Sequence, residues 1–209
     1  MYYVFGELKE TFVSLVGRYC PDTDIATSLW QEIQQAYSHK FRHYHNISHL
    51  EQVYLGLRES EKCIADWDTV LFALYYHDII YKVPGSDNEE KSAKLATERM
   101  KSIGVPEKTI SKCHDWILAT KSHQPSIDND CNLLLDADMA ILGQSPVQYD
   151  SYRQNVRKEF SFYPDLLYNP GRKKVLQSFL KMEQIYHTPQ FAPFEKQARE
   201  NISRELNSL

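Results

Sequence analysis

The run LFALYYHDIIY, residues 71–81, constrains the fold more than any other segment, because a histidine and an aspartate stand side by side in the most apolar stretch of the chain. On a helix, Leu74, His77 and Tyr81 fall on one stripe and Asp78 falls on the adjoining one, so both ionisable side chains are predicted to point toward the core. An unpaired carboxylate is costly to bury. The run therefore predicts either a hydrogen-bonded His–Asp pair in the core or a metal ion that binds both residues.

The rest of the chain favours helices. Glycine is scarce, at 7 of 209 residues, and apolar residues recur at helical spacing between turn signals. Expected helices include one over residues 67–81 capped by Asp66, one with a capping box from Ser86 to Glu89, and one running from NPGRKK to Tyr186. We predict an all-α, single-domain bundle of about nine to eleven helices over residues 1–209. Its metal-site core is expected at about residues 40–145, with the C-terminal helices 146–209 packed on it.

Composition excludes several classes of protein. A net charge of −4 provides no general basic field, so duplex nucleic acid is not an expected partner. Nothing approaches the run of about 18 apolar residues that a membrane span requires. The N-terminus MYYVFGELKE reaches acidic residues too early for a signal peptide, and the four cysteines form no CxxC pair. These features predict a reduced, cytoplasmic protein, and they leave a homodimer open.

Two further stretches carry the ligands that a metal ion would need. In NLLLDADMAILG, Asp138 has apolar neighbours three and four residues away, whereas Asp136 has more polar ones and is expected near the start of a helix. In FRHYHNISHLEQV, His45 and His49 are four residues apart, so on a helix they share a face. Three separate helices are thus expected to bring together one set of ligands: His49, His77, Asp78 and Asp138.

Mixed nitrogen and oxygen ligands are typical of an octahedral divalent ion such as manganese, magnesium, iron, nickel or cobalt. A structural zinc site would more often use cysteine. His114 and His123 are the only histidines between the His–Asp pair and Asp138, and they lie nine residues apart. One helix can hardly direct both toward a second ion, so one metal ion per chain is predicted.

The ordered motifs YHNISH, HD and LDADMAILG resemble the H…HD…D pattern of the HD-domain superfamily of metal-dependent phosphohydrolases. The resemblance is closer to small bacterial-type HD phosphohydrolases, whose motifs RHYHN, HDIIY, SDNEEKSA, ATKSH, LDADMAILG and GRKKVL are echoed in order over about residues 40–205. It implies an all-helical fold with a metal ion in the bundle, bound by His49, His77, Asp78 and Asp138. In the related cyclic-nucleotide phosphodiesterases the first histidine of YHNxxH is the general acid, which implies that role for His45. This chain lacks the much larger catalytic domain of those enzymes, so their substrate does not transfer.

Other polar side chains are candidates for the same site. Glu90, within SDNEEKSA, is predicted to order or activate water, with N-terminal helix capping as the alternative. Four residues are predicted to bind a substrate phosphate, with an ion pair or plain solvent exposure as the alternative: Arg42, Lys121, His123 and Arg172.

The predicted function is a metal-dependent phosphohydrolase that uses metal-activated water to cleave a phosphate ester or anhydride. The expected substrate is a nucleotide or another small phosphorylated metabolite. Two alternatives remain. An HD-type di-iron oxygenase would need two irons and additional histidine ligands, and a non-catalytic module would bind a metal or a nucleotide without turnover.

Overall fold

A computed structural model describes residues 2–209 of the chain, with the side chains of residues 6–209. The described residues form ten α-helices and no strand, which confirms the predicted all-α bundle. The helices are α1 (Tyr2–Gly17), α2 (Thr23–Tyr37), α3 (Ile47–Glu59), α4 (Trp67–Tyr76), α5 (Asn88–Ser102), α6 (Glu107–Ala119), α7 (Asn129–Met139), α8 (Pro146–Glu159), α9 (Asp165–Lys181) and α10 (Glu195–Ser208). Three short 3-10 helices accompany them, at Glu61–Cys63, Ala140–Gly143 and Ala192–Phe194. None of the helices in this part of the chain combines the length and the apolar character that a membrane crossing requires.

Helix α4 lies at the centre of the bundle. Each of residues 69–76 is at most 1% exposed. The helix packs against α1, α3, α5, α6 and α7, so its apolar side chains find partners on all sides. The residues that follow α4 therefore emerge inside the protein rather than at its surface.

Helix α4 begins as predicted but ends earlier. Asp66 accepts a hydrogen bond from the Thr69 backbone N–H at 3.2 Å, which confirms its capping role. The helix ends at Tyr76 instead of residue 81. His77 is its C-cap, with helical dihedrals and an N–H that donates to the Ala73 carbonyl at 2.9 Å, and Asp78 lies in the turn that follows.

Long-range contacts explain the early end of α4. The Arg42 guanidinium donates to the backbone carbonyls of Asp78, at 2.7 Å, and Ile79, at 2.8 Å. The Ile80 N–H donates to Ser92 Oγ at 3.1 Å. Because side chains from other segments satisfy these backbone groups, the chain can leave the helix at no loss of hydrogen bonds.

Two other predicted helix starts are wrong. Asp87 precedes α5 and makes no capping hydrogen bond, so the box from Ser86 to Glu89 does not form. The Asp87 carboxylate is instead paired with Lys91 Nζ at 2.8 Å. Helix α9 begins at Asp165, five residues before Pro170, and ends at Lys181 rather than at Tyr186.

The histidine-rich stretch also differs from its prediction. Helix α3 begins at Ile47, and the Asn46 side chain caps it by accepting from the Ser48 N–H at 2.9 Å. His45 therefore precedes the helix and does not share a helical face with His49. Its position depends on a contact with α8, described below.

The C-terminal helices are tied to the rest of the bundle by buried polar contacts. Asn201 of α10 donates to the Leu142 carbonyl at 2.9 Å, next to the end of α7. Arg172 of α9 forms a buried, two-pronged ion pair with Glu205 of α10, at 2.8 and 3.0 Å. Tyr149 of α8 donates to the same carboxylate at 2.6 Å. These contacts join α8, α9 and α10 into one packed unit.

Because α4 is buried on all sides, we expect Leu71→Ala to lower the free energy of unfolding by about 3 kcal/mol, through lost burial and the cavity left behind. Leu166→Ala is the matched control, since Leu166 is 84% exposed. Urea denaturation of both variants measures the effect. Equal losses in the two variants would contradict a bundle centred on α4.

Candidate metal centre

Side chains from three segments meet beside the end of α4. His49 Nε2, from α3, lies 3.3 Å from His77 Nε2 and 3.1 Å from Asp138 Oδ1 of α7. Asp78 Oδ2 lies 3.5 Å from His77 Nε2 and 4.0 Å from His49 Nε2. The structure thus brings together all four residues predicted as ligands, and the group formed by His49, His77 and Asp138 could hold a metal ion.

The spacing suits a divalent ion. In an octahedral site with ligand distances of about 2.1 Å, neighbouring ligand atoms lie about 3 Å apart. The contacts between the histidine Nε2 atoms and the carboxylate oxygens of the four residues measure 3.1 to 4.0 Å. An ion could therefore sit among these atoms after small side-chain movements.

The protonation states also suit a metal. His77 Nδ1 lies 2.8 Å from the Leu74 carbonyl, and a carbonyl can only accept, so Nδ1 carries the hydrogen and Nε2 presents a lone pair. Burial lowers the pKa of His49 and favours its neutral form. Burial would raise the pKa of Asp138, but hydrogen bonds from His123 and His49 outweigh it and hold that pKa well below its usual value. Neutral imidazole and ionised carboxylate are the forms that bind metals.

The single Nε2 hydrogen of a neutral His49 cannot fully serve both of its neighbouring acceptors, Asp138 Oδ1 and His77 Nε2. One hydrogen on His49 Nε2 can be donated to Asp138 Oδ1. The lone pair of His77 Nε2 then still faces Asp78 Oδ2, which is also an acceptor. A cation would satisfy these lone pairs together, and the mixed donor set suits manganese, magnesium, iron, nickel or cobalt.

One side of the cluster is open. The His49 and His77 side chains are at most 2% exposed, while those of Asp78 and Asp138 are 16% and 14% exposed. The histidines thus close the inner side, and the carboxylates face a gap that water or a ligand can enter.

His123 lies at this open side. It follows α6 with a positive φ of 51°, and its Nε2 is 3.0 Å from Asp138 Oδ2. The other candidate histidine, His114, is half-buried and contacts Asp115 instead. The sequence prediction that His123 could face the site is therefore matched in position, while its contact with a phosphate stays a prediction.

A glutamate that sequence analysis missed holds His45. Glu159 Oε2 lies 2.7 Å from His45 Nδ1 and accepts from the Tyr81 hydroxyl at 2.9 Å. Its Oε1 accepts from the backbone N–H groups of Tyr44, at 2.7 Å, and His45, at 2.9 Å. The His45 ring also stacks on Tyr81, with ring centres 4.3 Å apart. Both the loop and the imidazole are thus fixed by one carboxylate.

The environment favours the charged forms of both partners. Burial would raise the pKa of Glu159, but the His45 contact and the backbone donors outweigh it and lower that pKa to about 2. Burial would lower the pKa of His45, but the Glu159 hydrogen bond and the charges of Asp78, Glu159 and Asp138 raise it above its ordinary value. The buried Glu159 carboxylate therefore stabilises the protonated form of the partly exposed His45 ring.

The sequence does contain a signal for Glu159. Tyr149, Tyr152, Val156 and Glu159 recur at spacings of three and four, which puts the acid on the apolar stripe of α8. An acidic residue in the last turn also opposes the helix dipole. Together these features predict a buried acid with a specific partner, although they do not name the partner.

Arg42 joins the histidine-rich loop before α3 to the turn that follows α4. Its guanidinium donates to the carbonyls of His45, Asp78 and Ile79 at 2.7 to 3.0 Å and lies over the Tyr37 ring. Three of its five N–H donors are thereby engaged with backbone. A phosphate contact by Arg42 would have to use the remaining donors of a buried side chain.

The other predicted groups lie in ion pairs. Arg172 is held by Glu205, and a phosphate contact would require that buried pair to open. Lys121 binds Glu90 and the Ser86 carbonyl, at the exposed N-terminal end of α5. Glu90 would likewise have to leave Lys121 before it could act on water.

Asp136, expected near a helix start, is instead fully buried in the later turns of α7. It accepts hydrogen bonds from the His187 and Thr188 N–H groups, both at 2.8 Å, and from the Thr188 hydroxyl at 2.6 Å. The expectation that Asp136 lies near the start of a helix is therefore wrong. Asp136 is satisfied by protein groups, and Asp138 is the residue directed at the cluster.

This contrast gives a test of metal binding. With manganese at about 100 times its dissociation constant, we expect the wild-type midpoint of thermal unfolding to rise by roughly 5–10 °C relative to chelated protein. Asp138→Asn should abolish this shift. Asp136→Asn should lower the midpoint in both conditions but retain the shift. A manganese shift that survives in Asp138→Asn would contradict the ligand assignment.

The His45–Glu159 pair predicts a pH-dependent stability. The pKa of Glu159 falls from 4.5 to about 2 on folding, so its contribution is present above pH 4.5 and lost toward pH 2. The pKa of His45 rises from 6.5, so its contribution is complete below pH 6.5 and is lost as pH rises through the raised value. Between pH 4.5 and pH 6.5, we expect Glu159→Gln to lower the free energy of unfolding by about 2 kcal/mol, since the amide nitrogen cannot accept from His45 or Tyr81.

Urea denaturation at pH 5.5 and pH 3 measures this effect. The cost of Glu159→Gln should shrink at the lower pH, and the control Glu107→Gln should show little cost at either pH because Glu107 is 75% exposed. An equal cost at both pH values would mean that Glu159 acts by packing alone.

Comparison with known proteins does not identify a function for this chain. Family models, curated proteins and solved structures were all searched, and none of them matches this chain. The convergence of His49, His77, Asp78 and Asp138, with His45 held by Glu159 beside them, is therefore the basis for any functional conclusion.

Proposed function

We propose that this protein is a metal-dependent phosphohydrolase of the HD type, which binds one divalent ion per chain and cleaves a small phosphorylated substrate. The observation that carries the proposal is the arrangement at the open side of the metal centre. The candidate metal ligands lie next to His45, whose Nδ1 is 2.7 Å from Glu159 Oε2 and whose pKa is raised, despite burial, by the Glu159 hydrogen bond and by nearby carboxylates. The motif resemblance over about residues 40–205 supports the same reaction class.

A bound divalent ion would lower the pKa of a water molecule and neutralise charge on a phosphoryl oxygen. The protein supplies the remaining requirement, a proton for the leaving oxygen. Glu159 holds His45 Nδ1, which leaves the Nε2 proton of the imidazolium for transfer. The raised pKa of His45 increases the fraction of molecules that carry this proton near neutral pH.

Three contacts orient His45 for this role. Glu159 fixes the ring through Nδ1, Tyr81 stacks on one face, and the His49 ring lies with its centre 5.7 Å away. The acid is thereby kept beside the metal ligands without being one of them. Because no conformational change is needed to assemble the group, little entropy is lost when a substrate binds.

The proposal predicts different effects for metal ligands and for the acid. Asp78→Ala should remove both bound metal and phosphate-ester hydrolysis. His45→Ala should retain the metal and lower kcat by about 10²–10⁴-fold, the usual contribution of a general acid. Elemental analysis and phosphate release from a panel of esters, each assayed with manganese, magnesium, cobalt, nickel and iron, measure both effects.

His43→Ala is the matched control for the acid, because His43 is exposed and lies two residues before His45. It should leave metal content and kcat unchanged. Full metal content and turnover in Asp78→Ala would overturn the site assignment. Equal losses of rate in His45→Ala and His43→Ala would overturn the acid assignment.

One observation favours the di-iron oxygenase as a second candidate. His123 Nε2 lies 3.0 Å from Asp138 Oδ2, so an additional imidazole is available at the carboxylate that a second ion would share. Two irons per chain together with oxygen consumption, and no phosphate release from any ester, would favour this function over hydrolysis.

A further inference from the structure

A groove of about 520 Å³ begins at the metal centre and runs along α3 and α7. His49 and Asp138 line one end of it, and Glu59 and Ser60, at the end of α3, line the other. Its volume falls in the range of about 300–1,000 Å³ that is typical of small-molecule sites. A substrate whose phosphate lies at the metal centre would therefore place its remaining part in this groove.

The groove offers no cation to a second phosphate. Lysine and arginine are absent from its lining in the described part of the chain, while Glu59 contributes a carboxylate. The side chains of Lys158 and Arg172 contact lining residues but are not themselves part of the lining. Lys158 is bound to Asn155 at 3.1 Å, and Arg172 is already paired with Glu205. Sites for polyphosphates normally supply arginine or lysine to each anionic group, and this groove does not.

The lining instead suits an uncharged ring with hydrogen-bonding edges. Tyr44, Tyr152, Phe191 and Phe194 provide aromatic surfaces against which a flat ring can pack. Side-chain amides, among them Gln52, provide donors and acceptors along the same walls.

Gly56 deepens the groove in the middle of α3. A Cβ at this position would stand 3.4 Å from the Phe191 ring and 3.7 Å from Ala137 Cβ. The glycine therefore lets α3 lie close to Phe191 and to Ala137 of α7 on this side of the groove.

We infer that the substrate is a monophosphate ester of a neutral organic group of nucleoside type, and that nucleoside di- and triphosphates are excluded by the acidic, cation-free groove. This inference rests on the proposed hydrolysis for its phosphate, but the groove itself can be probed by binding alone. Each added phosphate would bring negative charge toward Glu59 without a partner.

Binding to metal-free protein separates the groove from the metal centre. We expect calorimetric titration with adenosine, guanosine, cytidine and uridine to detect at least one nucleoside, and its triphosphate to bind at least about ten-fold more weakly. Failure of all four nucleosides to bind, or tighter binding of the triphosphate, would overturn the inference.

Two pairs of variants locate the ligand. Ser151→Trp fills the groove from α8 and should abolish nucleoside binding, whereas Gln154→Trp, at an exposed position of the same helix outside the lining, should not. Glu59→Lys should reduce the preference for nucleoside over triphosphate by about ten-fold or more, whereas Glu61→Lys makes the same charge change outside the lining and should leave it unaltered. All four variants should retain the manganese-induced thermal shift. Loss of binding in both tryptophan variants, or in neither, would place the ligand elsewhere.

Turnover then distinguishes failure of the inference from failure of the proposed function. With manganese, a nucleoside 5′-monophosphate should be hydrolysed with a kcat/KM at least about ten-fold above that of the corresponding triphosphate. Hydrolysis of p-nitrophenyl phosphate together with preference for the triphosphate would overturn only the substrate class. Selective nucleoside binding with no hydrolysis of any ester would overturn the proposed function and leave the groove assignment standing.

Discussion

The close approach of two buried imidazoles and two carboxylates is the constraint on which the rest of this structure depends. His49 Nε2 and His77 Nε2 lie 3.3 Å apart in the interior, where an unsatisfied polar group costs about 1–3 kcal/mol or more. His77 keeps the direction set by α4, because it has helical dihedrals, and Asp78 approaches the same cluster from the turn that follows. A continuous helix to residue 81 would have separated the His77 and Asp78 side chains by about 100° around its axis.

Two buried charges on opposite sides hold the histidine-rich loop in place. Arg42 binds three backbone carbonyls, one from this loop and two from the turn after α4. Glu159 binds two backbone N–H groups of the same loop. Arg42 is thus compensated largely by backbone dipoles, and Glu159 by the His45 ring together with backbone N–H groups. The geometry of His45 follows from these contacts rather than from any local helical preference.

The sequence predicted the elements of this fold better than their ends. Helical periodicity and the cap at Asp66 depend on neighbours within one or two turns, so they can be read from the chain. The end of α4 depends on Arg42 and Ser92, which lie 36 and 12 residues away from their partners. Similarly, Asp136 and Asp138 differ in role because Thr188 reaches one and His49 the other, and no pattern within the stretch encodes that difference.

The cluster of four candidate ligands could be predicted because ionisable residues in apolar runs need compensation, and few arrangements provide it. Glu159 could not be assigned in the same way, since its stripe on α8 indicates burial but leaves its partner open. Its contact with His45 spans 114 residues of the chain. Helix α8 also contributes Tyr152, whose ring packs against Tyr44 with centres 4.6 Å apart. The C-terminal helices therefore do more than cover a core at residues 40–145: they supply the carboxylate that orients the candidate acid and one wall of the groove beside it. A chain lacking them would keep its candidate metal ligands in sequence and still lose the geometry that the proposed hydrolysis requires.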